Sequence, residues 1–195
     1  MRRHRFPFAP CLCAALAACA SSWSPTSATL AARLEETPPG TACRLWLHGD
    51  RIVAAAVPIG PGAMPAAVRT AFEAVLPGGA QTFAGREQGP RGNGFRVDKS
   101  YTDPEHLRTA LVADDGSVLE RAHTVPIAEV PQKVLATALR TGPAVDEAWI
   151  VSGPTTEEYW SIVLHDRTGR TFVVKVGLDG APLGRVRRSA ARVDG

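Results

Sequence analysis

Apolar and polar residues alternate most regularly in the last third of the chain. Apolar residues occupy every second position of 158–165 and 171–178, namely Trp160, Ile162, Leu164, Phe172, Val174, Val176 and Leu178. A period of two is produced by a β-strand with one buried face. We therefore predict two neighbouring strands here, with their shared apolar face packed against a helix.

Three short turns separate apolar stretches at similar intervals along the chain. Gly49, Gly116 and Gly180 each lie beside an aspartate, between two apolar segments. Each stretch is predicted to be a β-hairpin, because glycine and aspartate accept the backbone conformations that tight turns demand. The segment Val-Pro-Ile follows the first two hairpins, at 57–59 and 125–127. This recurring order indicates an internal repeat.

A helix is predicted after each Val-Pro-Ile segment. Pro65 and Pro131 begin the two helical patterns, and proline costs little there because its missing N–H would be unpaired. Further strands are predicted at 81–85, 94–101, 107–113 and 145–151. The predicted fold class is α+β, with two small repeats that each pack one helix on a roughly four-stranded antiparallel sheet.

The register of the first predicted sheet is left open by its sequence. Ala110 and Val112 would share one strand face, and Leu107, Thr109 and Leu111 would share the other. Both sets include apolar residues, so either face could be the one that packs on the helix.

Three segments of the second unit carry a family resemblance. They are Glu158-Tyr-Trp-Ser-Ile-Val, Thr171-Phe-Val-Val-Lys-Val and Leu178-Asp-Gly-Ala-Pro-Leu, after a helix opened by proline. In this order they resemble a PepSY or PepSY-like domain. The first unit is similar, with Phe95 where that family has tyrosine, and together the units cover 64–186. The resemblance implies tandem domains with a non-catalytic binding role, and it identifies no individual binding residue.

The strand face opposite the predicted core is more apolar than a solvated face requires. Its main residues are Tyr159, Val163, Val173 and Lys175. One interpretation is a partner-binding face with Tyr159 at its centre, since tyrosine is enriched at binding hot spots. The other interpretation, which we favour, is a contact with the first unit.

The first eighteen residues have the features of a bacterial export signal. Arg2, Arg3 and Arg5 precede an apolar stretch at 6–18, too short to span a hydrocarbon core of roughly 30 Å. Leu-Ala-Ala before Cys19 resembles the lipobox of bacterial lipoproteins, and the alternative is ordinary cleavage after Ala20, since Ala18-Cys19-Ala20 also fits an Ala-x-Ala site. The lipobox implies lipid attachment at Cys19. By the same resemblance Ala20, where retention in the inner membrane would favour aspartate, implies a place on the periplasmic face of the outer membrane.

Removal of such a leader changes the charge and the cysteine content of the chain. The sequence has 22 basic and 19 acidic residues, but three arginines and no acid lie in the leader. The remaining neutral chain lacks the electrostatic footprint of nucleic-acid binding. Cys11 and Cys13 leave with the leader, and Cys43 alternates with apolar residues. This favours a buried, inert thiol over an intermolecular disulfide.

No catalytic or metal-binding motif occurs beyond the leader. The sequence has no H-E-x-x-H, G-x-S-x-G or C-x-x-C pattern there, and 89–94 lacks the Lys-Ser/Thr of a phosphate loop. Asp114 and Asp115 beside Gly116 favour a turn over a cation site. The histidines beyond the leader are dispersed: His48, His106, His123 and His165. We therefore expect no enzyme, no metal and no cofactor.

The predicted organisation is a lipoprotein signal peptide at 1–18, a flexible tether at 19–42, units at 43–124 and 125–188, and a disordered tail at 189–195. The predicted function is that of an exported, lipid-anchored envelope protein acting as a non-catalytic binding or regulatory module. Its expected partners are membrane lipid and an envelope or secreted protein, such as a peptidase. The alternative is a structural or small-ligand-binding envelope lipoprotein.

Overall fold

A computed structural model describes residues 36–60, 62–102 and 106–192. The predicted leader, Cys19 and most of the predicted tether lie outside these described residues. The strands and helices of the described part are β1 Ala42–His48, β2 Arg51–Pro58, α1 Ala66–Val75, β3 Ala80–Gly89, β4 Gly92–Ser100, β5 Leu107–Val112, β6 Val118–Val125, a 3₁₀ turn Ile127–Glu129, α2 Gln132–Leu139, β7 Ala144–Gly153, β8 Thr156–His165, β9 Thr171–Gly177 and β10 Pro182–Arg192.

All of these strands close into one antiparallel barrel. Each strand pairs with its neighbours in the sequence, and β10 returns to pair with β1. The closing pair places Ala42 opposite Arg192. The strand β10 thus overlaps the segment 189–195 for which the sequence predicts a disordered tail.

The predicted fold class of two helix-on-sheet repeats is wrong. The edges that would end two separate sheets are paired with each other, with Arg121 of β6 opposite Ser152 of β7. A strand edge presents unpaired N–H and C=O groups, and pairing the two edges satisfies them. The two halves therefore form a single continuous wall.

The predicted hairpins are confirmed. Gly49, Gly116 and Gly180 lie in the β1–β2, β5–β6 and β9–β10 turns with φ of 62°, 88° and 89°. Glycine adopts these positive φ values without the steric cost that a Cβ brings. The β1–β2, β3–β4, β5–β6, β7–β8 and β9–β10 turns lie at one end of the barrel, which we call the hairpin end.

Helix α2 covers one apolar cluster on the outside of the wall. Val134 and Ala138 of the helix pack on the strand face that the alternation predicts, formed by Ala148, Trp160, Ile162, Leu164, Val174 and Val176. Leu178 lies outside this cluster and is 47% exposed. The structure thus confirms the apolar face predicted for 158–165 and 171–178, except at Leu178.

Helix α1 covers a second apolar cluster. Val68 and Phe72 pack on four strand residues, Phe95, Val97, Ala110 and Val112. The open register of the first sheet is therefore settled in favour of Ala110 and Val112 as the helix-facing residues. Neither described helix is long and apolar enough to cross a membrane.

The opposite strand faces line the inside of the barrel. Arg44 of β1 lies 2.5 Å from Asp98 of β4, although two strands separate them in the wall. Arg188 of β10 likewise lies 3.7 Å from Glu147 of β7. Side chains of strands so far apart meet only across the interior. The interior thus holds buried charges and a small apolar cluster of Ala122, Val151 and Tyr159, whereas the two larger apolar clusters lie outside.

Candidate binding site inside the barrel

Arg96 of β4 is the centre of a buried ion network. Its Nη2 donates to Glu87 and to Glu120, each at 3.0 Å, and its Nε also donates to Glu87. Nη1 donates to the Thr109 hydroxyl at 3.1 Å. These side chains belong to residues that are at most 9% exposed. The network therefore satisfies one guanidinium with partners from three neighbouring strands.

The local sequence explains why Arg96 points inward. Its neighbours Phe95 and Val97 both face α1, so the period of the strand turns Arg96 to the other side of the wall. Burial alone would lower the pKa of Arg96, but the carboxylates of Glu87 and Glu120 raise it well above its ordinary value. The guanidinium is therefore permanently charged.

Glu120 of β6 joins two arginines. Its Oε1 accepts from Arg96, and its Oε2 lies 2.7 Å from Nε of Arg91 in the β3–β4 turn. Burial raises the pKa of Glu120, but Arg96 and Arg91 outweigh it and hold the pKa below its usual range. Glu120 is therefore ionised at neutral pH.

Arg91 extends the network across the barrel to β8. Its Nη2 donates to the Tyr159 hydroxyl at 2.5 Å. Burial, with Glu120 nearby, raises the pKa of Tyr159, so the hydroxyl keeps its proton. On the next strand Nζ of Lys175 lies 5.5 Å from the centroid of the Tyr159 ring, within the range of a cation–π contact.

Positive charge exceeds negative charge in this cluster. Arg91, Arg96 and Lys175 face the two carboxylates of Glu87 and Glu120, and among the described residues no carboxylate forms an ion pair with Lys175. Burial and then Arg91 lower the pKa of Lys175. Arg44 and Asp98 neutralise each other and leave this balance unchanged.

The network is reached from solvent at the hairpin end. The Arg91 side chain is 20% exposed, although its Nη1 is buried and has no hydrogen-bond partner in the described part of the chain. Lys175 is half-buried. A ligand entering at this end would therefore meet Arg91, Tyr159 and Lys175 before Arg96.

The predicted partner-binding face lies inside the barrel. Tyr159, Val163 and Val173 are 5%, 3% and 7% exposed, and Lys175 shares their side of the wall. Tyr159 contacts Arg91, which belongs to the first predicted unit, so this face makes the kind of contact between units that the second interpretation describes. Binding of a protein partner to this face stays a prediction, and such a partner would have to enter the barrel.

The remaining candidates are dispersed. Cys43 is 2% exposed, and burial raises the pKa of its thiol. No group of potential metal ligands occurs within the described residues. His165 contacts Asp146 through Nδ1 and the Thr171 hydroxyl through Nε2, the latter at 3.0 Å. This hydroxyl–imidazole–carboxylate chain lies on the surface, with the His165 side chain 44% exposed.

The residues that the sequence did not single out are Glu87, Arg91, Arg96 and Glu120. Each is a charged residue of a type that normally faces water. The one sequence signal is that Arg96 alternates with Phe95 and Val97, which places it on the same strand face as Asp98. This alternation assigns Arg96 to one strand face, but it does not show whether that face points to solvent or to the interior of a barrel.

Comparisons with known proteins give a likeness of fold. No family model matches the sequence, and no curated protein matches it. A solved structure from Bacteroides eggerthii, described only by an assumed periplasmic location, has a TM-score of 0.50 at 14% identity and covers 65% of this chain and 90% of its own. At this identity the likeness concerns the fold alone.

Two DUF2874 family structures are also similar. Those from Bacteroides uniformis and Bacteroides ovatus are 12% and 13% identical, with TM-scores of 0.48 and 0.49. They cover 63% and 64% of this chain, and 88% and 87% of their own. None of these structures is described as a PepSY domain and the fold is one closed barrel, so the identification of tandem PepSY-like domains is wrong.

Proposed function

We propose that this chain is an exported envelope protein, lipid-anchored at Cys19, that acts as a non-catalytic binding module. The arginine-rich leader and the Leu-Ala-Ala-Cys19 sequence support export and acylation. The assumed periplasmic location of the similar B. eggerthii protein is consistent with the same compartment. The periplasmic face of the outer membrane is the proposed location.

The charged interior is the observation that carries the binding role. Burying charges is costly, and replacing buried ion pairs with apolar residues is often neutral or stabilising. The burial of Arg96, Glu87 and Glu120 in the barrel interior is therefore poorly explained by stability alone. The charge excess at the hairpin end, where Arg91 and Lys175 reach solvent, supports recognition of a polar ligand.

The anchor is tested by metabolic labelling with palmitate. The full chain should incorporate label and fractionate with membranes, whereas Cys19→Ser should do neither. Cys43→Ser is the matched control, because it removes a thiol that the proposal leaves unmodified, and it should be labelled like the wild type. Labelling of Cys19→Ser, or none in the wild type, contradicts lipid anchoring.

The non-catalytic role is tested at the Asp146–His165–Thr171 chain. These residues have the order of groups found in hydrolase triads, but His165 and Thr171 are directly opposite each other on β8 and β9, which explains their contact as a cross-strand pair. Hydrolysis of activated esters by the wild type and by His165→Ala should be equal. Faster turnover by the wild type would show an enzyme and overturn this part of the proposal.

A further inference from the structure

Two buried or half-buried cations at the hairpin end, Arg91 and Lys175, keep donor groups that no described carboxylate binds, although Nε of Arg91 pairs with Glu120. Nη1 of Arg91 has no acceptor within the described part of the chain, and no carboxylate there pairs with Lys175. Buried donors in proteins almost always have an acceptor. An acceptor that binds at this end would satisfy both groups.

Both cations converge on Tyr159. The guanidinium carbon of Arg91 lies 5.1 Å from the centroid of the Tyr159 ring, and Nζ of Lys175 lies 5.5 Å from it. The Tyr159 oxygen accepts a hydrogen bond from Arg91, so the hydroxyl proton is free to be donated. Three different donors, from the β3–β4 turn, β8 and β9, are therefore grouped around the Tyr159 side chain.

We infer that Arg91, Tyr159 and Lys175 form a binding site for a small oxyanion at the hairpin end of the barrel. The inference rests on the proposed binding function and names the class of ligand. Guanidinium and ammonium groups bind carboxylate and phosphate oxygens through charge-assisted hydrogen bonds, which are the stronger ones in proteins. The hydroxyl of Tyr159 adds a neutral donor.

Charge and size limit the ligand. A single negative charge balances the cluster, in which Arg91, Arg96 and Lys175 exceed Glu87 and Glu120 by one. The interior beside the site is filled by buried apolar side chains of Val163 and Val173, so a bulky ligand does not fit deeper. Phosphate or a simple carboxylate matches both limits.

Anion titration of the detergent-purified full chain is the test. Inorganic phosphate and acetate are added separately while thermal unfolding is followed, with sodium chloride at matched ionic strength as the reference. A ligand that binds only the folded state raises Tm in a saturable way. We expect such a rise with phosphate or acetate above that with chloride, and the difference between the two identifies the preferred oxyanion.

Matched variants locate the effect. Lys175→Met keeps the length of the side chain and removes its charge, and it should weaken binding roughly tenfold or more, the value of one charge-assisted hydrogen bond. Lys133→Met removes an exposed lysine of α2 and should bind like the wild type. Glu120→Gln removes a competing negative charge next to Arg91 and should tighten binding several-fold.

Several results would overturn the site. These are no saturable rise above chloride in the wild type, unchanged binding by Lys175→Met, or equal loss in Lys133→Met. If Lys175→Met does not fold, the sign of the Glu120→Gln effect decides, because weaker binding by that variant contradicts an anion held at Arg91. Labelling of Cys19 and ester hydrolysis test the proposed function independently of these titrations, so failure of one is distinguishable from failure of the other.

Discussion

The two faces of strand β4 are held by different forces. Its outward residues Phe95 and Val97 pack beneath α1 through apolar contact, which is non-directional and tolerates small changes. Its inward residue Arg96 is bound by the carboxylates of Glu87 and Glu120. Removal of one of these partners leaves a buried charge unpaired, which lowers the free energy of unfolding. The comparison teaches that the outer face of β4 is stabilised by apolar packing beneath α1, while its inner face requires a specific arrangement of charges.

The largest expected effect comes from breaking the inner network. Arg96→Met leaves Glu87 and Glu120 buried without their main partner, and we expect the free energy of unfolding to fall by about 3–5 kcal/mol. Chemical denaturation measures the change. Arg51→Met, at an exposed position of β2, is the control and should stay close to the wild type.

The same network offers a rescue. Combining Arg96→Met with Glu87→Met removes both charges of that pair and leaves Glu120 paired with Arg91, so it should recover much of the lost stability. A double variant as unstable as Arg96→Met alone would mean that packing, and not charge pairing, accounts for the loss.

The outer face is tested at Leu164. This residue is fully buried in the cluster beneath α2, so Leu164→Ala should reduce the free energy of unfolding by about 2–5 kcal/mol through lost apolar contact and a cavity. Leu183→Ala changes a residue that is 58% exposed and should have little effect. Equal losses in both variants would contradict an apolar core outside the wall.

A smaller effect is expected from pH at Lys175. The folded protein lowers the pKa of Lys175 below its ordinary value of 10.5, so in the alkaline window below that value the unfolded chain binds more protons than the folded chain. The free energy of unfolding should therefore rise with pH there. Lys175→Met should lose this rise in denaturation measured below about pH 10, where tyrosine begins to titrate.

The smallest effect should come from an ion pair on the surface. Arg170 lies 2.9 Å from Asp166, but its side chain is 56% exposed. Arg170→Gln should leave the free energy of unfolding close to that of the wild type, because solvent screens such pairs. A loss of stability as large as that of Arg96→Met would contradict the expected difference between this surface pair and the buried network.

The elements of the fold could be predicted from the sequence because their signals are local. The alternation of Trp160, Ile162 and Leu164 fixed a strand face, and Gly116 and Gly180 fixed turns by their conformational freedom. Closure of the barrel could not be predicted in this way. It depends on pairing between β6 and β7 and between β10 and β1, and a period of two says nothing about which strand lies beside a given edge.

The interior site was missed for a related reason. A charged residue that alternates with apolar ones, as Arg96 does, has the same pattern on a solvated face and on an enclosed one. Tyr159 and Lys175 were noticed because their face is unusually apolar, yet their neighbours Arg91 and Glu120 come from distant parts of the sequence. Only closure brings these four residues together.

The pairing of the first strand with the last also sets the order in which the barrel can assemble. Cys43 lies opposite Ala191, so nearly the whole described chain must emerge before β1 gains its second neighbour. Contacts between such distant residues are slow to form, because the intervening loop must first be closed at an entropic cost. Until then one side of β1 remains open to pairing with another chain, which makes the interval before closure the vulnerable stage of folding.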